Sequence, residues 1–219
     1  MKQFLNDAVE FLPILLQGVG LTVLVTVGAL ILSTALGLFW AALRISGIPA
    51  LDIFARTMIN IIRGVPIIVQ LFYIYFVLPE FGIALTAVQA AIIGLGVAYS
   101  AYQAENFRSG IEAIDAGQAE AAQSIGMGWL LTMRRVILPQ AIKVALPPYG
   151  NTIVMLVKDS SQASTITVAE LALQGKLVAA ATFKNTSVFS MVALLYLAMC
   201  IPLMLAVGHF ERKMRKGSR

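Results

Sequence analysis

The sequence predicts an all-α integral membrane protein, a bundle of five transmembrane helices, and three observations carry that expectation. Of its 219 residues, 59% are hydrophobic and only 12% charged, against about 45–50% apolar and 25% charged in ordinary soluble domains. The apolar residues gather into five long runs, and Lys and Arg divide unevenly over the segments between them. Nothing reads as a linker, a low-complexity tract or a second domain, so residues 1–219 are expected to form a single transmembrane domain.

The first run, residues 19–43, is uncharged and 25 residues long. At about 1.5 Å per residue it covers about 37 Å and can cross a hydrocarbon core of about 30 Å. Asp7 and Glu10 precede it where a signal peptide would carry a basic start, so the run is expected to be retained. Further runs follow at about residues 60–78, 83–103, 141–157 and 188–210, the fourth interrupted by Lys143, Pro147, Pro148 and Asn151. Pro66 and the Pro147–Pro148 pair should kink the second and fourth spans by freeing backbone groups.

An odd span count puts the two termini on opposite sides. The tail ERKMRKGSR argues for a cytoplasmic C-terminus by the positive-inside rule, leaving the N-terminus outside. With that orientation twelve basic residues fall inside, among them Arg44, Arg56, Arg63, Arg108, Arg134, Arg135 and Lys143. Only Lys2, Lys158, Lys176 and Lys184 fall outside. The net charge of +5 is therefore that of a stop-transfer anchor, with a helper role toward anionic lipid, and no nucleic-acid partner is expected. The lone Cys200 has no partner for an internal disulfide, and the lone His209, at the membrane boundary, has no partner for a metal site.

Residues 112–139 form a cytoplasmic loop between the third and fourth runs. Gly117 breaks the preceding segment, Glu120 is expected in the first turn of a short helix, and Gly126 is expected to end it as a left-handed cap. Ala119, Ala121 and Ala122 make this a narrow rod of about two turns, shaped to enter a groove on another protein. Alone in water it would be marginal, so a partner should hold it.

Polar residues inside spans cost about 2–3 kcal/mol each unless they find partners or water, so they should face the bundle interior. Tyr99, Gln103 and Asn106 fall on one stripe of the third span, with Tyr102 at its edge and Gly96 thinning it, and this stripe is expected to wall a pathway. Glu105 and Arg108, at i and i+3, have two open readings: mutual pairing at a helix–helix contact, or contact with a transported molecule. Asp159, Ser160 and Ser161 offer one carboxylate and two hydroxyls where the fourth run stops. They could hold the ammonium and carboxylate of a zwitterion, or form a solvated turn.

The spacing Glu120-Ala121-Ala122, Gly126, Val136, Leu138-Pro139 strongly resembles the cytoplasmic coupling loop of permease subunits of bacterial ATP-binding-cassette importers, departing in having Val where Ile is usual. Residues 63–79 and 101–122 look like the second and third spans of the polar amino-acid uptake branch, and residues 156–171 like its turn after the fourth span. The resemblance covers nearly the whole chain. It implies the five-helix fold of type I importer permeases and an inner-membrane location. It also implies coupling through Glu120, Ala121, Ala122, Gly126, Leu138 and Pro139, and a substrate site drawing on Tyr99, Gln103, Glu105, Asn106, Asp159, Ser160 and Ser161. The implied partners are a second permease subunit, two cytoplasmic ATP-binding subunits and an external solute-binding protein. No G-x-x-x-x-G-K-[ST] phosphate loop occurs, so this chain should hydrolyse no ATP and hold no cofactor; ATP-Mg would sit on the partner subunits. A polytopic membrane enzyme would need a catalytic constellation in the bilayer, yet Asp52, Asp115 and Asp159 fall on different surfaces. An ion channel or scaffold stays open as the other reading. The expected function is import of a polar amino acid or similar small zwitterion by alternating access.

Overall fold

The computed structural model describes residues 2–216, and every regular element among them is helical. Helix α1 (Lys2–Arg44) contains the first apolar run but starts well before it. Tertiary packing makes the difference. Phe11 and Leu15 on the extension join a buried cluster with Leu171, Val178, Val188 and Met191. Asp7, only 2% exposed, accepts from Lys184 Nζ at 2.6 Å and Ser187 Oγ at 2.7 Å. That carboxylate beside Lys184 raises the ammonium pKa above its ordinary value.

The second run does not make one straight helix. Helix α2 (Pro49–Gly64) and helix α3 (Ile67–Phe72) are separated by Val65 and Pro66, and the two arms are bent by 95°. Pro66 has no N–H, and the residue before a proline is pushed out of the helical region; Val65 is accordingly extended, at φ −101° and ψ 128°. Gln70 Nε2 repairs the break by donating to the Ile62 and Val65 carbonyls, both at 2.8 Å. Arg63, counted above in the inside set, lies in the last turn of α2. It lies against α4, its guanidinium carbon 5.3 Å from the centre of the Tyr102 ring. A π-helical turn (Tyr73–Val77) and a 3-10 turn (Leu78–Phe81) follow α3.

Helix α4 (Ala87–Glu112) starts with a capping box between Thr86 and Gln89 and forms the centre of the molecule. Leu95, Ala98, Tyr99 and Ala101 are each at most 2% exposed. α1 and α7 approach it through glycines, because small residues let helix backbones close up where lipid provides no hydrophobic drive. A Cβ on Gly37 would stand 2.6 Å from Gln103 Cβ, and one on Gly110 would stand 2.9 Å from Ala145 Cβ.

After the segment that follows α4, helix α7 (Leu138–Asp159) carries Pro147 and Pro148 inside one helix and passes into a 3-10 turn (Ser160–Ile166). Helix α8 (Leu171–Thr182), which has no counterpart in the sequence expectation, is capped by Glu170. That fully buried carboxylate accepts from Ala172 N and Leu173 N, both at 2.9 Å, and from Tyr196 Oη at 2.8 Å. Burial pushes its pKa up against those three donors. Helix α9 (Asn185–Lys216) completes the chain; Met1 and residues 217–219, the end of the basic tail, lie outside the described residues.

Among the described residues, two helices can cross a membrane by length and composition, Phe4–Arg44 and Asn185–Lys213, with a third if the bent α2–α3 pair is one span. α4 and α7, 26 and 22 residues long, reach about 39 and 33 Å. Their polar residues Gln103 and Thr152 are buried.

The α1–α4 approach has a measurable consequence. Gly37→Ala should destabilise the protein by about 1–3 kcal/mol through overpacking, whereas Gly20→Ala, with nothing within 4 Å, should stay within about 0.5 kcal/mol. Thermal unfolding of both variants in detergent checks this, and equal midpoints would mean that the contact does not limit packing.

Candidate functional site

Between α4 and α7 lies a cavity of about 310 Å³, lined by Tyr99, Tyr102, Asn106, Asn151, Thr152 and Asp159 among others. Tyr99 is placed by the buried face of α4, Asp159 by the end of α7. The two meet across the seam, Tyr99 Oη donating to Asp159 Oδ2 at 2.6 Å. A phenol donating to a carboxylate is a short, charge-assisted bond, and it leaves the other carboxylate oxygen as an acceptor. Asn106 makes the second link, its Nδ2 donating to Gln103 Oε1 and to Thr152 Oγ1, both at 3.2 Å. Thr152 passes its own proton to the Pro148 carbonyl at 2.9 Å. With both amide hydrogens committed, Asn106 is left with its Oδ1 as an acceptor. The lining thus offers carboxylate and amide oxygens together with aromatic faces, a chemistry suited to an ammonium group.

Not every residue expected at the site reaches this cavity. Tyr99, Asn106 and Asp159 line it. Gln103 stands behind them with no exposed surface, and its Nε2 has no hydrogen-bond partner. Ser160 is buried and donates to the Val157 carbonyl, while Ser161 donates to the Lys158 carbonyl, each at 2.7 Å; neither lines the cavity. Tyr102, expected at the edge of the stripe, forms part of the wall. Asn151 was legible only as a polar interruption of the fourth run and Thr152 was not singled out, because their place in the lining beside Asn106 depends on how α7 packs.

Glu105 belongs to a different cluster. Its carboxylate meets Arg44 Nη1 and Arg108 Nη2, both at 2.7 Å. Arg44 also pairs with Asp52 at 2.5 Å, Asp52 with Arg56 at 2.9 Å, and Arg108 with Glu112. This network of six charges joins α1, α2 and α4 at the end where α4 runs into the loop of residues 112–139. The Glu105–Arg108 pairing anticipated from i, i+3 spacing is present, and Arg44 extends it through the fold.

The loop itself folds into helix α5 (Ala116–Ser124), helix α6 (Trp129–Thr132) and a π-helical turn (Met133–Ile137) leading into Leu138 and Pro139. α5 starts earlier than expected, because Asp115 caps it by accepting from Gly117 N at 2.7 Å. Gly117 is therefore inside the helix, and Glu120 stands in its middle rather than its first turn. Gly126 does cap it left-handed, at φ +82°. Met127 N donates to the Ala122 carbonyl at 3.1 Å and Gly126 N to Gln123 at 2.9 Å, the paired bonds of a Schellman motif. Ala122 is buried, while Glu120 and Ala121 are exposed. Beside them Ile125, Trp129 and Leu130 are exposed by 79, 62 and 71%, an apolar patch of the kind that marks an interaction surface.

Comparison with known proteins agrees with this anatomy. Residues 33–216 match the family described as binding-protein-dependent transport system inner membrane component. The chain is 41% identical over 193 residues to the probable amino-acid ABC transporter permease protein YckA of Bacillus subtilis, covering 88% of this chain and 85% of that one. It is 36% identical over 206 residues to the L-cystine transport system permease protein TcyB of the same organism, covering 94% and 88%. A chain from the crystal structure of an amino acid ABC transporter with histidines superposes with a TM-score of 0.89 at 36% identity, covering 95% and 97%. The methionine transporter MetNI shares the fold, with a TM-score of 0.79 at 23% identity over 92% and 96%. The helical bundle, the capped helix α5 and these matches together establish that the chain belongs to the family of inner membrane components of binding-protein-dependent transport systems.

Proposed function

We propose that this chain is the membrane-spanning subunit of an ATP-driven importer that moves a polar amino acid or similar small zwitterion into a bacterial cell by alternating access. The observation that carries the reading is the Tyr99–Asp159 hydrogen bond across the α4–α7 seam, in a cavity that also holds Asn106. Relatives at this level of identity are described as permeases for amino acids, glutamine and L-cystine, all molecules with an ammonium and a carboxylate. In this reading Asp159 and Asn106 Oδ1 take the ammonium, and opening of the seam toward one side or the other is the transport step. Gln103, Ser160 and Ser161 support the cavity wall from behind, and Glu105 fixes the cytoplasmic end of α4 rather than touching substrate.

Two ATP-binding subunits, a second permease subunit and an external solute-binding protein complete the assembly in the inner membrane, with ATP-Mg held by the ATP-binding subunits. The α5 helix, with Glu120, Ala121 and the apolar patch around Ile125, is the docking element, and Leu138 and Pro139 pass its motion to α7. The chain crosses the membrane five times, counting α2–α3 as one broken span, with its N-terminus outside and its C-terminus in the cytoplasm.

Three measurements test this. Gly126→Val strains a left-handed position by about 1–2 kcal/mol; it should leave the protein in the membrane but weaken ATPase attachment or transport, and a wild-type uptake rate with the ATPase attached would remove α5 from the coupling path. In a Cys200→Ser background, a cysteine at Glu80 should label only from outside and one at Gly128 only from the cytoplasm; labelling of both from one side would refute the span count. Finally, Asp159→Asn keeps an acceptor for Tyr99 but removes the charge, and should weaken amino-acid uptake by about 1–3 kcal/mol. Unchanged half-saturation and maximal uptake in proteoliposomes would take Asp159 out of the site.

A further inference from the structure

A second hollow lies on another side of α7, and its lining is almost wholly apolar. This groove of about 270 Å³ runs between α1, α4 and α7, lined by Leu38, Phe107, Ile111, Ile142, Leu146 and Tyr149 among others. Small residues make it. α4 and α7 close up where Gly110 faces Ala145 and the Ala141 carbonyl, so the floor is low, while Leu38, Ile142 and Leu146 stand exposed along the rim. The deep end is sealed. There Thr34 Oγ1 meets Tyr149 Oη at 2.9 Å and donates to the Leu30 carbonyl at 2.7 Å, and the Tyr149 ring stacks on Phe107 with 6.0 Å between centres.

Length and width together decide what fits. In the five-span topology proposed above, α1, α4 and α7 all cross the bilayer. From Leu138, the first residue of α7, to Tyr149 the groove is about 16 Å long, which is the depth of one leaflet of a hydrocarbon core of about 30 Å. Its volume spread over that length gives a mean cross-section of about 17 Å², too narrow for a second membrane helix about 10 Å across. A single hydrocarbon chain is thin enough to lie in it.

The open end of the groove carries positive charge. Arg134 stands four residues before Leu138 and Arg135 seven before Ile142, spacings that keep both near the groove's side of the helix, one to two turns below its lining. Both are exposed. Among the described residues neither has a carboxylate partner, whereas Arg44, Arg56 and Arg108 each have one. Glu112, the acid next to Ile111 at the mouth, is taken up by Arg108, so it does not cancel the pair. An apolar slot one leaflet deep with two free guanidinium groups at its headgroup end has the charge and shape of a phospholipid reversed.

We infer that the α1–α4–α7 groove is a binding site for one anionic phospholipid of the leaflet on the side of residues 112–139, an acyl chain lying along Ile142 and Leu146 and the phosphate held by Arg134 and Arg135. The leaflet, cytoplasmic, follows from the proposed topology; the groove itself is independent of the transport cavity. Guanidinium suits the headgroup because its planar fork binds phosphate oxygens bidentately. Lipid already surrounds the groove, so burying a chain there brings little hydrophobic drive. Discrimination among lipids therefore rests on the headgroup. Phosphatidylglycerol, which has a phosphate and no ammonium to offset it, is the favoured class over phosphatidylcholine.

The permease copurified with its ATP-binding subunits and stripped of native lipid can be titrated in detergent with dioleoyl phosphatidylglycerol or dioleoyl phosphatidylcholine, with native mass spectrometry counting the lipids retained. Wild type should hold one phosphatidylglycerol per permease chain about tenfold or more tighter than phosphatidylcholine. The double variant Arg134→Gln/Arg135→Gln should bind the two lipids equally. Ile142→Trp, which narrows the groove and keeps both charges, should lose the tight phosphatidylglycerol, whereas Arg212→Gln/Lys213→Gln, which removes as much charge from α9, should keep it. The proposal falls if wild type shows no preference, a readout that needs no variant to assemble. It falls equally if the preference survives the Arg134 and Arg135 substitutions or Ile142→Trp, or if the α9 pair abolishes it as completely, since attraction to basic charge in general would then suffice. Detachment of the ATP-binding subunits from the Arg134→Gln/Arg135→Gln variant with the lipid preference intact would assign the pair to that interface instead.

Discussion

The demand that every polar group at membrane depth find its partner inside the protein governs the rest of this structure. Hydrocarbon offers no hydrogen bonds, so broken helices and polar side chains are held chiefly where neighbours satisfy them, with Gln103 Nε2 an exception. The α2–α3 break survives because Gln70 takes up the freed Ile62 and Val65 carbonyls. Thr22 donates to Gly18 and accepts from the first amide of α8, fastening α8 to α1. Thr34 and Tyr149 meet hydroxyl to hydroxyl between α1 and α7 at 2.9 Å. The Tyr99–Asp159 bond belongs to the same set, and what distinguishes it is that its surroundings are hollow. The site is where internal satisfaction leaves acceptors over.

Much of the fold was legible because lipid writes a strong signal into sequence. The uncharged run inside α1 and the run inside α9 follow from hydropathy alone, and the Gly126 cap follows from a glycine placed where a helix has to stop. The asparagine and aspartate flanking the cavity could be named because polar residues are conspicuous in apolar runs. What escaped were features set by contacts distant in sequence. The outer extension of α1 is helical because Phe11 and Leu15 have α8 and α9 to pack against, and α8 itself is too short to register as a span. The start of α5 moved because a single Asp115 side chain outranks Gly117 as a boundary signal. Gln103 shares a stripe with Tyr99 and Asn106, yet it is shut off from the cavity because Gly37 lets α1 approach there.

The end of the molecule where α4 runs into the loop of residues 112–139 combines two kinds of attachment. The six-charge network binds α1, α2 and α4 into one block, and its mutual pairing makes those ends stiff without adding much net stability, since partly exposed ion pairs contribute little. α5 is held far more lightly, chiefly by the burial of Ala122 and the turn at Gly126. Its route to the cavity is direct. The chain leaves α5, passes the π turn of Met133–Ile137 and becomes α7, the helix that carries Asn151, Thr152 and Asp159.

The buried core is divided, and the division has a mechanical reading. One cluster unites Phe11 and Leu15 of α1 with α8 and α9; a second unites the middle of α1 with α3, α4 and the end of α7. Glu170, Asp7 and Lys184 fasten the first cluster with hydrogen bonds and an ion pair, whereas the α4–α7 face of the second encloses the cavity and is bridged there by two polar links. α1 is long enough to belong to both. In the proposed transport cycle it would stand like the fixed post of a gate, gripped on one side by the first cluster, with the hollow seam as the side left to open.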